Sequence, residues 1–287
     1  MIGARLSSLF WRAPMRSFRL SVSNRSSALV RTMTASAIVV GLCVPFTAGA
    51  SEEERAEGTS SWGLGIGLAS SQQPYTNMDR DNDAIPLIYF ENDYVEIFGP
   101  RAEIKLPGFE ITESSEIEFG LVVEYDFDGY EEGDARILDG MDDRDGGLWA
   151  GAALTWENEM VDVSAEWLAD ASGNSDGQRV TLELERSWEW GEHITLTPRL
   201  AAIWQDKKYV DYYFGVRSEE ARFDRPTYDG KAGINTEFGI SGNYRFDRHH
   251  SVFLDLEAVR LATEIKDSPL VDRSTENSVS FGYLYRF

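Results

Sequence analysis

Carboxylates are the residues best placed to do chemistry in this chain, and they recur at every second position. Glu116, Glu118, Glu124 and Asp126 share one phase of a short segment, and Glu183 and Glu185 share one phase of another. Asp162, Glu166, Glu237, Asp255 and Glu257 continue the array, with Arg199, Arg245 and Arg286 as basic residues in the same phase. Such an array supports two kinds of chemistry. Where water fills the space before it, rings of acid attract cations. Where water is excluded, carboxylates pair with arginines and hold a polar core together.

Catalysis has less to stand on. The histidines are His193, His249 and His250. Nucleophilic catalysis needs a histidine held beside a nucleophile and an orienting acid or amide. Here His193 follows a Gly-Glu turn, and His249-His250, before Ser251, follow an Asp-Arg turn, with nothing of motif quality around either. Asp79-Arg80-Asp81-Asn82-Asp83 has oxygens at alternate positions but lacks the Gly and closing Glu of a calcium loop. The aspartates between Asp139 and Asp145 surround Arg144 and read, like the first group, as a solvated acidic loop. Gly63, Gly65 and Gly67 precede no helix, so they read as the side-chain-free face of a strand rather than a nucleotide loop. No catalytic residue, cofactor or metal ligand is expected.

The elements that must position the acids are strands, because the spacing has period two. From Glu116 to Phe127 the opposite phase is Ile117, Phe119, Leu121, Val123, Tyr125 and Phe127, and Val122 is the single apolar exception on the acidic face. Similar alternation predicts segments at 61–70, 85–92, 93–99, 116–127, 147–157, 160–170, 178–190, 193–205, 209–217, 232–247, 249–261 and 277–287. Helical spacing is absent over most of the chain. A soluble periplasmic β-protein would alternate too, but three features favour a membrane. Tryptophans and tyrosines such as Trp62, Trp188, Trp204 and Tyr244 cluster near segment ends, as interfacial girdles do. The phase opposite the acids is almost free of charge, as hydrocarbon demands. The chain ends in mid-strand on Phe281, Tyr283, Tyr285 and Phe287, which resembles the C-terminal signal read by outer-membrane insertion machinery. The expected fold class is all-β: a transmembrane antiparallel up-and-down β-barrel of about twelve strands.

The N-terminus is of different material. Residues 1–50 hold Arg5, Arg12, Arg16, Arg19, Arg25 and Arg31 and no acid, then an apolar run from Ala35 to Phe46 and Ala48-Gly49-Ala50. A basic stretch, a short apolar core and an A-x-A site make a secretory signal peptide, with cleavage after Ala50. The run is too short for a membrane-spanning helix. The expected organisation is a signal peptide at 1–50, a short segment at 51–60 and a barrel at 61–287. Removing six arginines from 27 basic residues leaves 21 against 49 acids, so the mature chain carries a charge near −28. The lone cysteine, Cys43, would leave with the leader. No nucleic-acid partner is expected of so acidic a chain without a Lys/Arg cluster.

Three stretches resemble the MipA/OmpV family of outer-membrane proteins. Asp211-Tyr212-Tyr213-Phe214-Gly215-Val216, then Ser218-Glu219-Glu220-Ala221 and Tyr228, is similar to its central signature. Arg260-Leu261 through Asp267-Ser268-Pro269-Leu270-Val271-Asp272-Arg273-Ser274 is similar to its last-loop signature. Leu138-Asp139-Gly140-Met141-Asp142-Asp143-Arg144, followed by Ala150-Gly151, is similar to a mid-chain motif. The resemblance covers most of the mature chain and is strongest from 209 to 287. It implies an outer-membrane location, with outer-membrane lipid and the insertion machinery as partners. One family member is described as a scaffold joining a lytic transglycosylase to a bifunctional peptidoglycan synthase. The resemblance therefore implies a non-catalytic scaffold that links murein hydrolase and synthase to the outer membrane. The acidic array offers the alternative of a cation-preferring channel. Counting the twelve segments back from a periplasmic Phe287 puts 128–146 on the periplasmic side. Either the count is off by one strand, or this segment is a platform presenting Leu138, Gly140, Met141 and Arg144 to partners.

Overall fold

The computed structural model describes residues 60–112 and 114–287. The leader, Cys43 and the cleavage site lie outside the described residues. The strands are β1 (Ser61–Ser71), β2 (Asp81–Glu91), β3 (Val95–Phe98), β4 (Arg101–Thr112), β5 (Ser115–Asp126), β6 (Gly147–Asn158), β7 (Asp162–Asp170), β8 (Gln178–Glu185), β9 (Trp188–Trp190), β10 (Ile194–Gln205), β11 (Gly233–Arg245), β12 (His250–Arg260) and β13 (Thr275–Arg286). Neighbours pair antiparallel, β13 pairs with β1 and β10 with β11, so the sheet closes on itself. β8 and β9 both pair with β10 and form one interrupted strand, which makes a twelve-stranded barrel. Closure leaves no sheet edge unpaired, which a bilayer requires. The outer phase carries exposed apolar side chains such as Leu64 at 54%, Ile66 at 55% and Leu182 at 56%, a belt suited to lipid and not to water.

Two departures from the sequence expectation cancel in the strand count. β4 was not among the predicted segments. Its outer phase is Ala102, Ile104 and Leu106, then Phe109 and Ile111, and the register against β5 slips between Leu106 and Phe109. This β-bulge at Pro107-Gly108 shifts the alternation by one and hides it. Gly108 fits because a Cβ there would lie 2.3 Å from the Ile117 carbonyl oxygen. Conversely, 209–217 is not a strand. It overlaps helix α1 (Lys207–Phe214), capped by Asp206, whose side chain accepts from the Tyr209 N–H. The buried residues of α1 are Tyr209, Val210, Tyr213 and Phe214, one helical face.

Losing the strand expected at 209–217 moves the loops in a count taken back from Phe287. The connections at 92–94, 113–114, 159–161, 191–193 and 246–249 are short and lie at the end where β1 begins and β13 finishes. Those at 72–80, 127–146, 206–232 and 261–274 are long and lie at the other end. Short turns mark the periplasmic end and long loops the extracellular one. The segment 128–146 is therefore extracellular, and the periplasmic platform is withdrawn: the count was off by one strand.

Candidate functional site

Two ion-pair clusters stand inside the wall. On β10, Arg199 donates through Nε to Glu237 at 3.0 Å, through Nη1 to Asp255 at 2.7 Å, and through Nη2 to Asp255 and Glu257 at 3.1 Å each. Register brings them together: Arg199 lies opposite Gly239 on β11, and Gly239 lies opposite Glu257 on β12. A Cβ on Gly239 would meet Arg199 Cζ at 2.3 Å, so glycine leaves room for the guanidinium. On the far side, Arg101 on β4 holds Glu124 at 3.0 Å, Glu103 at 3.1 Å and Glu166 at 2.8 Å. Arg179 on β8 pairs with Asp126 at 2.8 Å and also with Glu124, and its guanidinium lies 4.8 Å over the Trp149 ring. Lys105 adds a pair with Glu91 at 2.7 Å. Arg101, Arg179 and Lys105 were not singled out from sequence. Arg179 keeps the acidic phase of its strand and could have been found; the other two belong to the strand hidden by the bulge.

The remaining array members are more dispersed. Glu183 is buried and Glu185 half-buried, and Glu118 is exposed. Asp162 accepts from the Asn158 N–H at 3.2 Å. Glu116 lines a groove of about 290 Å³ at the periplasmic rim with Glu110, Glu157 and Glu159. Arg245 donates to the Glu192 carbonyl oxygen at 2.9 and 3.3 Å, and Arg286 lies 5.0 Å over the Tyr89 ring.

The extracellular loops fold into a cap with its own core. Tyr75, Met78, Tyr130, Leu138, Met141, Tyr209, Tyr213, Phe214, Ile265 and Leu270 pack together with Val122, Trp149, Leu168 and Val259 from the wall. Val259 on β12 and Trp149 on β6 stand on opposite sides of the barrel, so this one cluster spans the mouth. Hydrogen bonds tie the loops to one another: Tyr75 Oη to Tyr213 O at 3.2 Å, Ser268 Oγ to Phe214 O at 2.7 Å, Thr76 N to Leu270 O at 2.8 Å. Arg144 bridges two loops, donating to Glu220 at 2.7 Å and to the Tyr212 carbonyl oxygen at 2.8 Å. Arg225, 1% exposed, donates to the carbonyl oxygens of Glu220, Ile137 and Asp139. Leu138 and Met141 are buried, and Gly140 holds φ +76°, where a side chain would be strained. Leu138, Met141 and Arg144 are thus buried in the cap, while Gly140 is exposed at its surface. All three stretches carrying the sequence resemblance meet here.

Phe281, Tyr283 and Tyr285 lie on the outer phase of β13, running from mid-strand to the periplasmic rim, where Phe287 follows them. The Tyr285 and Phe287 rings meet edge-on at 5.1 Å. Each histidine is engaged there. His249 Nδ1 lies 2.8 Å from Arg286 O with its ring stacked on Tyr285; His193 Nδ1 lies 2.6 Å from Arg245 O with its ring stacked on Tyr244. His250 Nδ1 lies 2.6 Å from Tyr283 Oη.

Several known proteins are similar to this chain. The chain is 27% identical over 254 residues to YiaT of Escherichia coli, whose name assigns it to the outer membrane, covering 87% of this chain and 98% of that one. It is 25% identical over 257 residues to the MltA-interacting protein of Escherichia coli, with the same coverage. It is 26% identical over 162 residues to the outer membrane protein OmpV of Vibrio cholerae, covering 55% of this chain and 61% of that one. Among solved structures, the NanC porin aligns with a TM-score of 0.43 at 7% identity over 77% of this chain and 98% of that one. The relatives are named as outer-membrane or interacting proteins, and this protein is an outer-membrane β-barrel. The model of the family described as MltA-interacting protein MipA matches residues 64–287, and the chain belongs to that family.

Proposed function

We propose that this barrel works by contact rather than by flux: a non-catalytic scaffold of the outer membrane whose periplasmic rim engages murein enzymes. The observation that carries this reading is the cap, whose apolar core runs from β12 to β6 across the extracellular mouth. Below it, Arg199 and Arg101 draw carboxylates from several strands into the lumen. A pore needs a continuous wet path, and buried apolar packing supplies none. The name of the Escherichia coli relative supports an interaction with MltA, and the sequence resemblance supports a lytic transglycosylase and a peptidoglycan synthase as the enzymes joined. Partners in the periplasm must meet the short-turn end, where the three histidines and the terminal aromatics lie. The test is capture of a purified lytic transglycosylase by the detergent-folded, heat-modifiable barrel. Retention supports the scaffold; no retention by a folded barrel removes it.

The second reading, a cation-preferring channel, rests on the acidic lumen of β5, β8, β11 and β12. It requires the cap to open.

A further inference from the structure

The strands turn their charges inward, with one exception. Among the described strands, the charged residue on the outward phase is Arg260, at the extracellular end of β12. Register sets it between two hydroxyls. Arg260 lies directly opposite Thr236 on β11 and Thr275 on β13, and both threonines are exposed. The next outward residue of β13 is Asn277, opposite Ala258. A second arginine lies over it. Arg80, in the loop before β2, donates through Nη1 to Asn277 Oδ1 at 2.6 Å and through Nε to Ser70 Oγ at 3.1 Å. Ser70 takes the outward phase at the extracellular end of β1. Asn277 is the diagonal neighbour of Arg260, a backbone spacing of about 7–8 Å that long side chains span. The two guanidiniums therefore share one patch of the outer wall.

Depth places this patch at the lipid boundary. One outward step into the wall the surface turns apolar, with Ala258 on β12, Val279 on β13 and Leu68 on β1. Two residues are about 7 Å of strand, so both arginines stand at headgroup level above the belt. Neither is ion-paired among the described residues, and both are exposed, whereas Arg101, Arg144, Arg179 and Arg199 each hold a carboxylate. Arg80 also donates through Nη2 to the carbonyl oxygens of Ser70 and Asn277, at 2.8 and 3.4 Å. These bonds fix its plane and leave one N–H on Nη1. The Arg260 side chain makes no hydrogen bond among the described residues. Guanidiniums match phosphate geometry, and the anion present at this depth of an outer leaflet is a lipid phosphate.

We propose that Arg80 and Arg260, with Thr236 and Thr275 beside Arg260, form a docking site on the outer wall for the phosphate of an outer-leaflet lipid. The occupant is a lipid because its acyl chains meet the apolar belt directly below the patch. The site is independent of the scaffold reading, since it lies at the end of the barrel opposite the periplasmic rim. The experiment is a titration of the folded, detergent-solubilised barrel with diphosphoryl lipid A, read by native mass spectrometry. A chelator is present, so that divalent cations cannot bridge acids to phosphate. Lipid A should be retained in preference to dioleoylglycerol, which has acyl chains and no phosphate. Arg260→Gln should weaken lipid A binding about tenfold, as loss of a charge-assisted donor does. Arg80→Gln should weaken it too. Arg248→Gln, in an exposed periplasmic turn, should bind as the parent does. Inorganic phosphate in large excess should leave the lipid in place. Heat-modifiable mobility verifies that each variant is folded. Equal retention of lipid A and dioleoylglycerol, lipid A binding that folded Arg260→Gln keeps in full, or displacement by inorganic phosphate overturns the proposal.

Discussion

The two ends of the barrel are built on different principles. At the extracellular end four long loops supply apolar side chains to one buried core, and two buried arginines satisfy the loop carbonyls that this packing strands. At the periplasmic end the turns are short, and the side chains engage their own neighbouring strands: His249 with Arg286 O, His193 with Arg245 O, Asp247 with the N–H groups of His249 and His250. The difference teaches where free energy is concentrated and where surface is left available. The cap is cooperative, because its core draws on every long loop. The rim is local, and its residues remain open to a partner. Three segments far apart in sequence carry the family resemblance, and all serve the cap, so the resemblance reports how the mouth is closed.

The contrast can be broken most severely at Arg144. Truncation by Arg144→Ala leaves Glu220 buried without its partner and should cost the cap about 3–5 kcal/mol. Limited proteolysis should then cut within 127–146 or 206–232 while the wall stays heat-modifiable. If the loops resist protease as the parent does, the pair does not hold them. Next comes the apolar core. Leu138→Ala, at a residue with 0% exposure, should cost about 2–5 kcal/mol by cavity formation, read by the same digestion. Acid should loosen the cap as well. Burial pushes the Glu220 carboxyl up, but the Arg217 N–H, the Arg144 guanidinium and the Asp142 N–H outweigh it and hold the group below its ordinary value of 4.5. A carboxyl depressed in the folded state contributes stability above its unfolded value, and that contribution is lost as pH falls through the folded one. Cap proteolysis should therefore rise as pH is taken well below 4.5, using an acid-active protease on a wall that stays folded. Equal resistance at pH 7 and in strong acid would contradict the assignment. The smallest effect belongs to the rim. Met160→Ser, in a turn where Met160 is 80% exposed, should shift unfolding by no more than about 0.5 kcal/mol, measured by heat-modifiable mobility against temperature.

Much of this was legible in the sequence, and what was missed has local causes. Alternation identifies a wall wherever one face meets lipid, and β5, β10, β11, β12 and β13 follow it closely. The lone apolar residue on the acidic face of β5, Val122, is no irregularity: it is 1% exposed and belongs to the cap core. β4 escaped because one bulge at Pro107-Gly108 reverses the phase halfway along. α1 escaped because Tyr209, Val210, Tyr213 and Phe214 are as aromatic and β-branched as a strand. Only their four-residue spacing and the Asp206 cap distinguish them. The acids were legible, but their partners were only partly so. Arg199 was among the array residues and Arg179 keeps the acidic phase of β8, whereas Arg101 belongs to a strand that single-sequence periodicity does not supply. The cap core lay beyond reach, because it joins residues separated by more than a hundred positions, as in Tyr75 with Tyr213.

A lumen closed by the cap and the ion pairs leaves no path for ions. Conductance of the purified barrel in planar lipid bilayers tests it most directly. The parent should carry no steady ion current, and current, cation-selective because the lining is acidic, should follow only after the cap is loosened by Arg144→Ala. A steady current from the parent, unchanged in the cap variant, would contradict it.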